Sequence, residues 1–153
     1  SLLDEENIEF CKNILAQYED KIVLPVDFAV TNEFTNDEEY RVKVATDLAT
    51  DEMGLDIGPE TLELYESILN DAAIVIWNGP LGVYEFEKYK KHTDELLQFL
   101  VDNDIKTILG GGDIVAAAAA ANLKEKVYHA STGGGATLEY LEGKALPGIE
   151  AIK

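Results

Sequence analysis

A chain of 153 residues is long enough for one domain with a real core; its 46% hydrophobic content is ordinary, and no apolar run approaches the roughly 20 residues that span a bilayer. The formal net charge of −18, from 12 basic and 30 acidic residues, argues against binding a nucleic-acid backbone, which calls for clustered Lys and Arg. The one cysteine, Cys11, excludes an internal disulfide, and no Cys/His cluster suggests zinc.

The start, Ser1-Leu2-Leu3-Asp4-Glu5-Glu6, is acidic and polar, unlike a secretory signal, and with the cysteine count it points to a reducing cytoplasm. From about Leu3 to Gln17, Ile8, Cys11, Ile14 and Leu15 recur at helical spacing, with Cys11 as a small core residue. Lys21-Ile22-Val23-Leu24-Pro25 reads as a strand closed by proline, and Phe28-Ala29-Val30 as another. Thr31 to Asp51 is polar: a loop with a small strand or hairpin around Tyr40-Arg41-Val42-Lys43-Val44, and solvated acid at Asp37-Glu38-Glu39.

Gly58-Pro59-Glu60-Thr61 punctuates the chain before a helix that runs to about Asn70. Ala72 to Trp77 is continuously apolar and β-branched, as a buried strand is. A helix from Tyr89 to Asp102, a strand at Thr107-Ile108-Leu109, an alanine-rich helix from Asp113 to Asn122, a strand at Val127 to Ala130 and a helix from Gly134 to Leu141 follow. The small residues Ala116 to Ala121 let their helix sit close on a sheet. Alternating strands and helices with short connections imply βαβ units with right-handed crossovers. The expected fold is α/β: a doubly wound, three-layer α/β/α arrangement around a mainly parallel sheet, Rossmann-like in part, as a single domain over 1–153.

Three successive strands end in glycine turns leading toward a helix: Trp77-Asn78-Gly79-Pro80-Leu81-Gly82, Gly110-Gly111-Gly112-Asp113 and Ser131-Thr132-Gly133-Gly134-Gly135-Ala136. The carboxyl ends of parallel strands share one edge, where ligands bind, so the turns should face one crevice. Glycine allows positive φ and close approach to the backbone. A helix start adds free N–H groups and a dipole favouring anions, which resolves the conflict between a phosphate ligand and an acidic chain. Neither the Walker A pattern nor the dinucleotide fingerprint is present, and no loop has EF-hand spacing.

At these turns Asp113 has two readings, a helix cap or a Mg²⁺ ligand beside nucleotide phosphates. Glu85 is either a ribose acceptor or one more surface acid, and Asn78 either a phosphate or ribose contact or an Asx-turn. His129 reads as a buried structural histidine, and His92 lies on a charged helix. No nucleophile–base–orienter set appears, which is compatible with phosphoryl transfer.

These turns closely resemble phosphoglycerate kinase, as do Leu24-Pro25-Val26-Asp27, Gly54-Leu55-Asp56-Ile57-Gly58-Pro59-Glu60 and Leu141-Glu142-Gly143-Lys144 with Leu146-Pro147-Gly148. The match runs in order over nearly the whole chain. The resemblance implies reversible phosphoryl transfer between 1,3-bisphosphoglycerate and ADP, giving 3-phosphoglycerate and MgATP in glycolysis. It implies Glu85 at the ribose, Gly54 by the adenine, and Asn78 and Pro80 along the cleft. Gly111, Gly112, Asp113 and Ile114 would surround phosphates and Mg²⁺, with Asp113 toward the metal. Gly133, Gly134 and Gly135 would present amides near the phosphate in flight.

Two residues depart from the family pattern: Ile114 stands for a hydroxyl residue, leaving only its amide for phosphate, and Glu52 for an aromatic one on the adenine side. The resemblance also covers only the later part of the second of two domains. The basic substrate domain, and the segment with a Gly-Ala-Lys-Val-Ser-Asp-Lys type motif, have no counterpart here. The chain is therefore expected to be a fragment of a usually monomeric enzyme, inactive alone and completed by the missing N-terminal domain. The alternatives are a non-catalytic nucleotide-binding module, or a structural fragment whose open sheet edge leaves it binding nothing.

Overall fold

The computed structural model describes residues 4–36 and 41–152. Leu3, the acidic run Asp37-Glu38-Glu39 and Tyr40 lie outside the described residues. A one-turn 3-10 helix leads into α1 (Ile8–Gln17), then come β1 (Asp27–Thr31), β2 (Arg41–Val44) and β3 (Met53–Ile57). After α2 (Pro59–Leu69) strands and helices alternate: β4 (Val75–Asn78), α3 (Lys91–Asp102), β5 (Thr107–Gly110), α4 (Gly112–Ala120), β6 (His129–Ser131), α5 (Gly134–Leu141) and a short α6 (Pro147–Glu150).

The expected parallel sheet is present, in the order β4-β5-β6. Its register sets Asn78 level with Gly110, and Gly110 level with Ser131, so three strands end on one line. Val75, Trp77 and Leu109 point from this sheet into the main core, where Leu62 of α2, Leu97 and Leu100 of α3 and Ile114 of α4 meet them. The alanine run works as expected on one side: Ala117 and Ala118 are buried and α4 lies against β5 and β6. Neighbouring strand residues face opposite ways, so Gly110 faces away from that core. Its missing side chain admits Thr137 of α5, which would lie 3.4 Å from a Cβ there. Helices thus lie on both faces of the parallel sheet.

A second, antiparallel sheet, β2-β1-β3, includes the strand expected near Tyr40 to Val44. Its two buried aspartates hold the ends of neighbouring helices. Asp27 on β1 accepts from the Glu60 and Thr61 amides at 3.1 and 2.8 Å and from the Thr61 hydroxyl at 2.6 Å, closing the start of α2. Asp56 on β3 does the same for α3 through the His92 amide at 3.2 Å.

Several expectations are corrected. Lys21 to Pro25 is not a strand: no strand of the described residues lies beside it, and Val23 and Leu24 are exposed. A strand needs a neighbour for its N–H and C=O groups, so an apolar run alone does not make one. Cys11 is exposed, because α1 buries none of its residues against the rest of the described chain. Ile74 and Ile76 are 46% and 44% exposed, so β4 is buried on one face only. His129 is exposed at the start of the edge strand β6; the buried histidine is His92, at 1%. Among the described residues no helix is long and apolar enough to cross a membrane.

Candidate functional site

The turn after β4 is held by two side chains beneath it. The Trp77 indole donates to the Gly79 carbonyl at 2.6 Å, and Thr93 Oγ1 accepts the Leu81 amide at 3.0 Å. The turn after β5 is tied to β6, with the Gly111 amide donating to the Ser131 carbonyl at 2.8 Å. In the turn after β6 the Gly133 amide donates to Ser131 Oγ at 3.2 Å, and the Thr137 hydroxyl donates back to the Gly133 carbonyl at 2.8 Å.

The three turns meet. A Cβ on Gly111 would sit 3.1 Å from Asn78 Oδ1, and one on Gly134 would sit 3.1 Å from the same oxygen and 3.0 Å from the Gly111 Cα. Gly111 also has φ of +118°, a conformation L side chains rarely adopt. Two of the turns therefore each spend one glycine, Gly111 and Gly134, on packing turn against turn, and the turn after β4 contributes the Asn78 side chain between them. One further glycine in each turn behaves differently: Cβ atoms on Gly79, Gly112 and Gly135 would meet nothing within 4 Å. Each turn thus lines its packed junction with an open backbone position.

Behind these positions, α4 and α5 begin with no side chain capping them. The amides of Gly112, Asp113 and Ile114, and of Gly134, Gly135 and Ala136, have no intrahelical acceptor by geometry. Two helix starts therefore present donors to one rim, a setting that favours an anion.

Asp113 is exposed in the first turn of α4, and Glu85 is exposed on the loop after Gly82. They are brought together around Tyr84. Burial first, then the negative charges of Asp113 and Glu85 and a hydrogen bond to Asp113, push the Tyr84 phenol above its ordinary value. Tyr84 is a member of this cluster that pattern reading missed, since an isolated tyrosine in a loop carries no signal. Gly54 lies in β3, one residue before Leu55, whose carbonyl accepts the Val83 amide at 2.8 Å. That bond sets the strand of Gly54 beside the loop of Glu85. Pro80 is half-buried in the same loop.

Ile114 lies within the core at 0% exposure, so only its amide can face the rim. Glu52 is engaged inside the antiparallel sheet. Its carboxylate pairs with Lys43 Nζ at 2.7 Å and Arg41 at 3.4 Å and accepts the Ala49 amide at 2.9 Å. The Lys43 and Ala49 hydrogen bonds hold its carboxyl below the ordinary value.

Among the described residues no group of three His, Cys, Asp or Glu side chains is placed to cage a metal. The exposed Asp113 carboxylate beside free amides fits an ion whose other ligands are phosphate oxygens and water, as Mg²⁺ prefers.

Comparison with known proteins follows this geometry. Residues 1–144 match the family model described as phosphoglycerate kinase. A phosphoglycerate kinase of Lactobacillus gasseri is 49% identical over 153 residues, covering 99% of this chain and 38% of the relative. One of Staphylococcus aureus is 47% identical, with 99% and 39% covered. The solved phosphoglycerate kinase of Coxiella burnetii superposes with a TM-score of 0.89 at 35% identity, over 98% of this chain and 40% of that one. That of Pyrococcus horikoshii gives 0.80 at 31% identity. The chain spans about two-fifths of the length of the relatives it matches.

Proposed function

This chain belongs to the phosphoglycerate kinase family, and we propose that it supplies the nucleotide-binding part of an enzyme that moves a phosphoryl group reversibly between 1,3-bisphosphoglycerate and ADP. One observation carries the reading. Three turns on one edge each leave a glycine facing open space, two of them at helix starts whose amides have no cap.

In this reading the Gly112, Asp113 and Ile114 amides bind the nucleotide's phosphates, with Gly111 held against Asn78 so that the turn keeps its shape. In the turn of Gly133, Gly134 and Gly135, the Gly134 and Gly135 amides face the phosphoryl group in transit, while the Gly133 amide is held by Ser131 Oγ. Glu85 accepts from the ribose, and Gly54, with the Phe28 ring packed where its side chain would stand, lies by the base. Asn78 and Pro80 complete the cleft wall. Asp113 holds Mg²⁺, which when bound neutralises phosphate charge. The chemistry asks little covalent work of the protein: an ADP β-phosphate oxygen bonds to phosphorus as the bond from phosphorus to the acyl oxygen breaks, leaving a carboxylate. Positioning and charge stabilisation do the rest.

The net charge of −18 supports a division of labour. Backbone amides can grip one polyphosphate locally, whereas a second, doubly phosphorylated substrate calls for clustered cations supplied by the remainder of the enzyme, its N-terminal domain. The chain by itself is accordingly inactive, and the enzyme works in the cytoplasm.

Calorimetric titration with MgADP tests the reading. The chain should bind, and Asp113→Ala should weaken binding about tenfold, the scale of one lost charge-assisted contact. Equal affinities would remove Asp113 from the metal site. Formation of ATP from the acyl phosphate by the chain alone, near the rate of an intact kinase, would refute the division of labour.

A further inference from the structure

Asp56 and His92 form a buried pair that the reaction above does not use. They are 2% and 1% exposed. Asp56 Oδ1 accepts the Ile57 amide at 2.9 Å, while Oδ2 accepts both the His92 amide at 3.2 Å and the His92 ring at Nδ1, 2.9 Å away. With the carboxylate as acceptor, Nδ1 carries the ring hydrogen. Nε2 is buried with no hydrogen-bond partner among the described residues. A cap for α3 needs only the backbone bond, which any residue at 92 would make. The imidazole adds a second bond to the same oxygen, and leaving a buried ring nitrogen bare costs stability. A structural cap does not account for that choice.

The pair's location does. Asp56 lies on β3 two residues beyond Gly54, and the backbone of Gly82 packs between its carboxylate and the Tyr89 carbonyl, so close that a Cβ would be 2.6 Å from Asp56 Oδ1 and nearer still to the Tyr89 oxygen. The neighbouring Val83 amide bonds to the Leu55 carbonyl at 2.8 Å. The loop with Pro80 and Glu85 is thereby fixed to the strand with Gly54 at two adjacent points, one of them the Asp56 carboxylate that His92 orients. The turns after β5 and β6, which hold the phosphate-end amides, are fixed by other contacts, Gly111 and Gly134 against Asn78 and the Gly111 amide to the Ser131 carbonyl.

We propose that Asp56 and His92 are positioning residues that set the spacing of the base-and-ribose end of the nucleotide site, independently of its phosphate end. The proposal rests on the nucleotide reading above, and it predicts a split between ligands that a general loss of stability does not produce.

The test uses the whole chain and titrates MgADP and magnesium pyrophosphate into three proteins: the unaltered chain, His92→Ala and His92→Asn. Hydrogen exchange at the Val83 amide, referenced to Leu109 in β5, is measured without ligand. His92→Ala should weaken ADP about tenfold and leave pyrophosphate within about twofold, on the scale of one lost charge-assisted bond. Val83 exchange should quicken while Leu109 does not change. His92→Asn, whose amide can replace the Nδ1 donor and has no Nε2 to bury, should restore ADP binding. Parallel weakening of both ligands, or Val83 exchange unchanged in His92→Ala, would overturn the proposal. An unaltered chain that bound neither ligand would refute the nucleotide reading instead, and Val83 exchange would still decide whether the pair holds the loop.

Discussion

Adjacent glycines in one turn should respond to the same substitution in opposite ways. Gly134 and Gly135 are the first two residues of α5. A Cβ on Gly135 meets nothing within 4 Å, so alanine there gains helix propensity without a clash, up to about 1 kcal/mol and less near a helix end. A Cβ on Gly134 would lie 3.0 Å from the Gly111 Cα, and backbone cannot swing aside as a side-chain tip can. Overpacking of that kind costs about 1–3 kcal/mol. Binding should follow a different order. The Gly135 methyl would occupy the open space through which a phosphate oxygen reaches the α5 amides, at a hydrogen-bond distance near 2.9 Å that leaves no room for it. Losing one charge-assisted bond of about 1.5–3 kcal/mol weakens binding about 10- to 100-fold. Gly135→Ala should therefore be at least as stable as the parent in urea and bind MgADP far more weakly, while Gly134→Ala loses stability. Undiminished MgADP binding by Gly135→Ala would refute the claim that this glycine is open for ligand access.

Three further outcomes follow from the packing and the charges. Asp27→Ala removes the carboxylate that accepts two amides and a hydroxyl at the buried start of α2; urea unfolding should show a loss of about 3–5 kcal/mol, and Asp27→Asn a smaller one. Asp113→Asn removes one of the charges that raise the Tyr84 phenol, so its pKa should fall toward the ordinary value of 10.0, read from phenolate absorbance; no change would separate Tyr84 from Asp113. Glu52 is held below its ordinary value of 4.5, so the stability it contributes is complete above that pH and lost as pH falls through the lower folded value. Glu52→Gln should remove that part of the acid limb in denaturation curves taken at successive pH values.

The parts of the fold that read correctly from sequence are those fixed by local chemistry. Alternating apolar runs and glycine turns from Ala72 onward gave strands and helices close to their observed places. Where partners decide, pattern misled. Met53-Gly54-Leu55-Asp56-Ile57 contains two residues that strands disfavour, yet it is β3, because β1 pairs with it and the missing Gly54 side chain leaves the Phe28 ring its place, 3.3 Å from a Cβ there. Lys21 to Leu24 has the better strand composition and no strand beside it among the described residues. Cys11 followed a helical stripe of which no residue is fully buried among the described ones.

The proposed site was legible as three glycine turns, but what favours them over other helix starts as a place for an anion was not. Residues at the local N-cap positions of α2 and α3, Gly58 and Lys90, make no side-chain cap, and nothing in those short sequences says what closes them. The caps come through space: Asp27 reaches Thr61, 34 positions away, and Asp56 reaches His92, 36 away. Two helix starts are thus already filled by the chain's own carboxylates, buried and hydrogen-bonded. At α4 and α5 no carboxylate from elsewhere in the described chain takes that place, and the first-turn amides remain available. Each open start favours an anion by only about 0.3–1 kcal/mol at an exposed site, but two that converge where glycines expose the backbone act on the same ligand. Under the proposed function, net charge is a poor guide to ligand charge, because Asp27 and Asp56 are internal counterparts of helix ends. In that reading the sign of the ligand follows from which helix ends the protein leaves unfilled.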